Sequence, residues 1–126
     1  ILSVVVIADL LGASREVVLS LASKSVTTPI AMEVTAAVGG IPPLTAAVVV
    51  CVGIFGGMTG FRVMKMTRVK SPMAQGLSLG TAHALGTSVA IDTGGSRYGA
   101  WASLGLTVNG LFTALLTPAI LRIFGY

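Results

Sequence analysis

The chain has 126 residues, of which 54% are hydrophobic and 10% are charged, and its formal net charge is +4. A soluble domain usually carries about 25% charged residues, so this composition excludes an ordinary soluble protein and indicates an integral membrane protein. The basic residues are too few and too widely spread for nucleic acid to be a partner. One histidine and one cysteine cannot build a metal cluster or a nucleophile–base pair. We therefore expect an all-α, polytopic protein of the lipid bilayer, with no cofactor, no metal site and no enzymatic activity.

The first two segments are marked out by their helix start and stop signals. Residues 1–12 are typical of the end of a spanning helix that stops at Gly12. Ser14 then caps a second segment, 14–39, which is interrupted in its middle and ends at a Gly-Gly pair. The apolar start without an initiator methionine suggests that the chain continues a longer one.

The interruption lies at Lys24–Glu33, where a cation, three hydroxyl groups, a proline and a carboxylate occur within ten positions. Pro29 has no N–H and fixes its own φ, so we predict that a new helix starts here, with Thr28 as its N-cap and Ile30–Val38 as its body. The free N–H groups at that helix start, together with Lys24, would suit an anion such as a carboxylate. The alternative is a proline kink whose hydroxyls satisfy the backbone while Lys24 snorkels to the membrane surface.

The third segment, 44–66, is continuous and apolar enough to cross a hydrocarbon core, which takes about 20 residues. Gly53 and Gly57, and likewise Gly56 and Gly60, are spaced four apart. This spacing lets helix backbones approach closely, so we interpret both pairs as packing faces.

The densest basic patch follows that segment, between residues 62 and 71. Its members are Arg62, Lys65, Arg68 and Lys70. The positive-inside rule predicts that the patch is cytoplasmic. If every segment crosses once, six of the eight basic residues lie inside, Arg97 lies in an outer loop and Lys24 lies within the second segment. That count predicts five crossings with residues 92–97 outside, although the pattern is also compatible with a re-entrant loop.

The fourth segment, 72–91, is interrupted as well. Gly76, Gly80, His83 and Thr87 follow the spacing i, i+4, i+7, i+11, which predicts one shared helical face. A lone intramembrane histidine on such a face is a functional candidate, as a donor to a substrate or a proton carrier. The alternative is a neutral histidine that holds a neighbouring helix by one hydrogen bond.

The last span covers residues 98–126 and is predicted to break late, at Pro118. Asn109 lies near its middle and would need an interhelical partner. An interrupted segment followed by a continuous one therefore occurs twice in the chain. Paired discontinuous helices in corresponding positions point to a binding site in the middle of the membrane, as in secondary transporters.

Several blocks of the sequence together resemble the LrgB/CidB family of membrane proteins. They are KSVTTPIAM at 24–32, GGIP at 39–42, GLSLGTAHALGT at 76–87, GA at 99–100 and LLTP at 115–118. The resemblance covers nearly the whole chain from about residue 14. It implies a single membrane domain, residues 1–126, that forms the C-terminal part of a chain about twice as long.

The sequence departs from the family pattern at three places. Ser23 stands where the family usually has proline, Ser88-Val89 where it has Ala-Arg, and Tyr98 where it has an acidic residue. Loss of that arginine leaves Lys24 as the basic residue placed to meet a carboxylate.

Two functions are implied by the resemblance. One is a transporter, or a transport subunit, for small 2-hydroxy or 2-oxo monocarboxylates of the pyruvate, glycolate and glycerate class. The other is a holin-like or antiholin-like regulator of murein hydrolase export and autolysis, which would use the glycine faces for oligomerisation. Polar groups at two helix breaks are costly in a bilayer and hard to explain by oligomerisation alone, which favours transport.

The expected substrate-binding residues are Lys24, Ser25, Thr27, Thr28, His83 and Thr87. The expected partners are the lipid bilayer, a small organic anion, and either a small LrgA/CidA-type membrane protein or further copies of the chain. The resemblance favours the bacterial inner membrane over the plastid envelope as the location.

Overall fold

The computed structural model describes all residues 1–126 and is entirely helical, which confirms the predicted fold class. Its seven helices are α1 (Leu2–Leu10), α2 (Arg15–Leu21), α3 (Thr28–Val38), α4 (Pro42–Met66), α5 (Pro72–Ala82), α6 (Gly86–Gly94) and α7 (Ser96–Ile123). Both predicted interruptions are present, between α2 and α3 and between α5 and α6. The Gly-Gly stop is also present, because Gly39 closes α3 with a φ of 82°.

Two of the helices are long and apolar enough to cross a membrane. α4 has 25 residues and α7 has 28, so they extend about 37 and 42 Å, more than the roughly 30 Å hydrocarbon core. Pro42 and Pro43 lie in the first turn of α4, where a missing N–H costs no hydrogen bond. Pro118 lies inside α7 without ending it, so the predicted late break is wrong. Pro118 is tolerated inside a membrane helix where packing against neighbouring helices holds the helix together, although the buried Thr117 hydroxyl beside it makes no hydrogen bond.

The second segment does not cross but folds back on itself. The Ile41 N–H donates to the Ser20 hydroxyl at 2.7 Å, and the Thr45 hydroxyl donates to the Ser20 carbonyl at 2.9 Å. Three residues further along, the Ser23 hydroxyl donates to the Ala31 carbonyl at 3.1 Å. As the chain advances from Ser20 to Ser23, its partners therefore move backwards, from the start of α4 to the first turn of α3. The two helices are antiparallel and form a re-entrant hairpin, the first hairpin.

The fourth segment also folds back. Its contacts with α4 pair Leu79 with Gly60, His83 with Gly56, Leu85 with Gly53 and Val89 with Gly57. The chain thus advances along α4 as far as Leu85 and then returns. α5 is antiparallel to α4 and α6 is parallel to it, so these two helices form a second hairpin.

Each hairpin is followed by one spanning helix, and the two units have opposite orientations. Asp9, at the end of α1, accepts a hydrogen bond of 2.7 Å from the Tyr126 hydroxyl after α7, so both helices end at the face where the first hairpin opens. At the opposite end, the rings of Phe61 and Tyr98 lie 6.4 Å apart. Residues 92–97 therefore lie on the same side as residues 62–71.

This arrangement corrects the predicted topology. Neither interrupted segment crosses once, because the hairpin hydrogen bonds and the α4 contacts return each of them to the side where it began. Five basic residues now lie at one end, namely Arg62, Lys65, Arg68, Lys70 and Arg97. Arg15 and Arg122 lie at the other end, so the positive-inside rule still predicts a cytoplasmic side for residues 62–71.

Candidate functional site

The tips of the two hairpins, residues 22–27 and residues 83–85, meet in the middle of the molecule. Val26 of the first tip forms a buried cluster with Ala31 and Val49, and Ala84 of the second tip packs against it. Asn109, halfway along α7, connects the tips by hydrogen bonds. Its side-chain amide donates to the Ser25 carbonyl at 2.9 Å and to the Thr81 carbonyl at 3.3 Å. The expected interhelical partners of Asn109 are thus one backbone carbonyl from each hairpin.

The meeting of the tips also brings two helix starts to the same depth. α3 begins at Thr28 and α6 at Gly86, and neither has a side-chain hydrogen bond at its N-cap. The N-cap of α3 is Thr27, with φ −61° and ψ 144°, rather than the predicted Thr28. Pro29 is therefore the second residue of the helix and not the first. Either position suits proline, because the first N–H groups of a helix have no acceptor within it. The positive dipole ends of α3 and α6 thus lie about midway along α4 and α7, the two helices long enough to cross a membrane.

Lys24 and Ser25 line a cavity of about 590 Å³ beside the first tip. α7 contributes Asn109 and Thr113 to its wall, and α1 closes it from the side with its apolar first turn. The Lys24 ammonium donates to the Ser25 hydroxyl at 3.2 Å and has no carboxylate partner. Lys24 is half-buried and directly precedes the first tip residues that pack against α4.

A chain of hydroxyl groups holds the first hairpin together. The Thr35 hydroxyl lies 3.0 Å from that of Ser23 and 2.9 Å from that of Thr45. The Ser20 hydroxyl donates to the Glu16 carbonyl at 2.6 Å. Ser20, Ser23, Thr35 and Thr45 are buried with 1% exposure or less. Ser23 therefore replaces the usual proline of the family with a side chain that bonds across the hairpin.

His83 lies on a different side of the second hairpin. It is 2% exposed, and neither ring nitrogen has a hydrogen-bond partner in the protein. Its ring lies against Gly56, where a side chain would collide with it, and it lines a groove of about 260 Å³ between α4 and α5. Ser78 and Thr59 supply the other hydroxyl groups of this groove.

The predicted shared face of the fourth segment is wrong. His83 ends α5 with an extended backbone, φ −159° and ψ 158°, so positions before and after it belong to different helices. Gly76 and Gly80 face α7, against the backbone of Tyr98 and Ala102, whereas His83 faces α4.

The predicted site residues therefore divide into two groups. Lys24 and Ser25 line the larger cavity, while Thr27 and Thr28 are half-buried at the start of α3. His83 lies in the groove on α4, and the Thr87 hydroxyl is buried without a partner in α6. Asn109 joins the first group, although the sequence indicated only that it needed a partner.

Two helices long and apolar enough to cross a membrane, together with two hairpins of opposite orientation whose tips meet midway along them, are the architecture of a polytopic membrane protein with an inverted pair of hairpin–helix units. Residues 1–123 match the LrgB-like family. The chain belongs to that family, which confirms the resemblance drawn from its motifs.

Relatives from several bacteria are similar over nearly the whole chain. An uncharacterized protein of Haemophilus influenzae is 40% identical over 118 residues, 93% of this chain and 51% of that protein. The uncharacterized protein YxaC of Bacillus subtilis is 32% identical over 124 residues, 98% of this chain and 54% of that protein. The antiholin-like protein LrgB of Bacillus cereus is 35% identical over 126 residues, 99% of this chain and 54% of that protein. The chain spans about half the length of these relatives, and no solved structure matches it.

Proposed function

We propose that the protein is an antiholin-like regulator in the bacterial inner membrane, which modulates murein hydrolase export and autolysis. The name of the Bacillus cereus relatives supports this role. The structural observation that supports it is what the glycine faces of α4 contact. Gly53, Gly56, Gly57 and Gly60 all pack against the second hairpin of the same chain. They are not free to join copies into a pore, which favours a regulator over a pore-forming holin.

The test is autolysis of a bacterial strain that lacks the gene. Deletion should increase the rate of detergent-induced lysis and the murein hydrolase activity in the culture medium, and the full-length gene should restore both. Gly56→Leu should fail to restore them at equal membrane abundance, because the new side chain displaces His83. Met58→Leu is the matched control, since Met58 is exposed on α4. Unchanged lysis on deletion would rule out the regulatory role.

A second function is favoured by the hairpin tips. We propose that the cavity at Lys24 binds a small carboxylate, so that the protein takes part in transport of 2-hydroxy or 2-oxo monocarboxylates. Re-entrant tips with helix N-termini at the midplane are the usual place for anionic substrate groups in secondary transporters. Lys24 adds a cation without a carboxylate partner, and the Ser25 hydroxyl lies within its reach. A charged hydrogen bond contributes about 1.5–3 kcal/mol, which corresponds to roughly ten- to a hundredfold in affinity.

Uptake and binding of labelled pyruvate, glycolate and glycerate by vesicles that carry the full-length protein test this function. Lys24→Gln should weaken binding roughly ten- to a hundredfold, whereas Arg122→Gln, at the end of α7, should not change it. Lys24→Arg should be intermediate, because its planar head has a different geometry. If Lys24→Gln binds as tightly as the parent, the anion site lies elsewhere.

The same vesicles test His83, which lies outside the cavity. His83→Ala should reduce uptake more than abundance if the groove takes part in transport. The replacement breaks no hydrogen bond, because neither ring nitrogen has a partner in the protein, and it leaves a small cavity beside Gly56. Membrane abundance, measured in the same vesicles, reports any loss of stability from that cavity. Normal uptake by this variant would mean that His83 only packs against Gly56 and takes no part in transport.

A further inference from the structure

Four helices of the chain end with the same pair of backbone hydrogen bonds. In each, one residue donates to the carbonyl three positions back, and the next residue donates to the carbonyl five positions back. The first of these two residues is the C-cap itself in α3 and the residue after the C-cap in α1, α4 and α7. The first of the two donating residues needs a left-handed backbone, which costs a residue with a side chain more than glycine. Glycine occupies this position at three of the four ends, as Gly12, Gly39 and Gly125.

At the end of α4 the same position is held by Arg68, with a φ of 57°. It is the only residue with a side chain that has a positive φ in the chain. Its N–H donates to Lys65 at 3.3 Å and the Val69 N–H donates to Met64 at 3.0 Å, so the turn is complete despite the strain. A cation near a helix C-terminus complements the dipole, but Lys65 in the last turn already does so without strain. The position therefore calls for a separate explanation, because retained strain marks functional positions.

Arg68 lines a cavity of about 320 Å³ between the end of α4 and the start of α5. Lys65 and Lys70 line it as well, together with Phe61 and Gln75. The Gln75 amide donates to the Val69 carbonyl at 2.5 Å and so fixes the turn that carries Arg68. None of the three cations donates a hydrogen bond within the chain, in contrast to Lys24. Three exposed cationic side chains thus line one open cavity at the end of α4.

We propose that this cavity binds a phosphate-bearing anion, and that the phosphate of an anionic phospholipid in the cytoplasmic leaflet is the ligand. Arginine and lysine are the side chains that bind phosphate, and arginine can do so with two parallel hydrogen bonds. Basic pockets between helices on the cytoplasmic side are suited to such headgroups. The cavity lies at the end of α4, a helix longer than the roughly 30 Å hydrocarbon core, so a membrane-spanning α4 would bring the cavity to the headgroups. Phe61 supplies an apolar wall on the membrane side.

The test is thermal unfolding of the full-length protein in neutral detergent, with phosphatidylglycerol or phosphatidylcholine added in increasing amounts. Phosphatidylglycerol should raise the unfolding temperature of the parent more than phosphatidylcholine does, since a ligand of the folded state stabilises it by mass action. Arg68→Gly should unfold at the same temperature as the parent or a higher one without lipid, because glycine relieves the strained backbone. Its apparent affinity for phosphatidylglycerol should nevertheless fall roughly ten- to a hundredfold.

The control is Arg62→Gln, which removes one charge from the same end without lining the cavity. This variant should keep most of the response to phosphatidylglycerol. Glycerol 3-phosphate at millimolar concentration, added in place of the lipid, tests whether a soluble phosphate is bound instead. If glycerol 3-phosphate raises the unfolding temperature as much as phosphatidylglycerol does, and only when Arg68 is present, the cavity is a phosphate site but the lipid is not its ligand. The whole proposal is overturned if phosphatidylglycerol stabilises the parent, Arg68→Gly and Arg62→Gln equally, or stabilises none of them.

Discussion

Asn109 is the side chain that joins the two hairpin tips, so its replacement tests their meeting point. Asn109→Leu keeps a similar volume and removes both donors, to Ser25 at 2.9 Å and to Thr81 at 3.3 Å. The hairpins themselves lose no internal hydrogen bond. The variant should therefore loosen the contact between tips without changing the topology.

The expected loss of stability follows from the two bonds. Hydrogen bonds between membrane helices average about 0.6 kcal/mol, so two of them contribute about 1.2 kcal/mol. A carbonyl left buried without a donor costs about 1–3 kcal/mol. This cost applies chiefly to Ser25, because the bond to Thr81 is exposed and water can replace it. We expect a loss of about 2 kcal/mol, which is roughly a thirtyfold shift in the unfolding equilibrium.

Reversible unfolding in bicelles measures this loss, and amide hydrogen exchange shows where it occurs. Exchange should accelerate at the two tips, residues 22–27 and 83–85, and not along α4. Thr107→Val is the control, since the Thr107 hydroxyl bonds only within α7, to the Ser103 carbonyl at 2.9 Å. If Asn109→Leu is as stable as Thr107→Val and its tips exchange no faster, Asn109 does not join the hairpins.

Two further predictions concern packing and the chain ends. Gly80→Ala should destabilise the protein by about 1–3 kcal/mol in the same unfolding assay, because its methyl group would overlap the Ala102 backbone. Gly60→Ala should lose less, because its methyl group meets only the terminal methyl of Leu79, 2.8 Å away, which can shift by rotating the side chain, and alanine favours the helix by about 1 kcal/mol. Equal losses in both variants would contradict the close backbone contact. The hydrogen bond to Asp9 raises the pKa of Tyr126 above its ordinary value of 10.0, so this contact stabilises the folded protein below pH 10 and is lost as the pH rises further. A spectrophotometric titration of the parent and of Tyr126→Phe assigns the ionisation of Tyr126 by difference. Its midpoint should lie above pH 10, and a midpoint at or below 10 would show that the hydrogen bond to Asp9 does not form.

The sequence predicted where helices end because proline, glycine and N-cap residues act locally. Pro29 and the Gly-Gly pair mark the start and end of α3 to within one residue. The failure at Pro118 has a different cause, since a proline inside a long apolar helix can be compensated by its surroundings. Local signals thus give element boundaries, and tertiary contacts decide which of them become turns.

The direction of the chain after each interruption could not be predicted from local signals. Residues 14–39 are numerous enough to cross once, and a broken spanning helix and a hairpin share the same apolar pattern. The choice depends on hydrogen bonds between distant residues, such as those of Ser20 with Ile41 and Thr45. The division of the candidate site has the same origin, because His83 turns away from Gly76 and Gly80 where α5 ends.

The most direct test of the account is the side of the membrane on which each hairpin opens. In a Cys51→Ala background, single cysteines replace Lys70 and Ser96, which flank the second hairpin and are both exposed. The account predicts that both cysteines react with an impermeant maleimide from the same side, the cytoplasmic one, as Ser14→Cys reacts from the other. Reaction of Lys70→Cys and Ser96→Cys from opposite sides would mean that α5 and α6 cross the membrane, and would contradict the two-hairpin architecture.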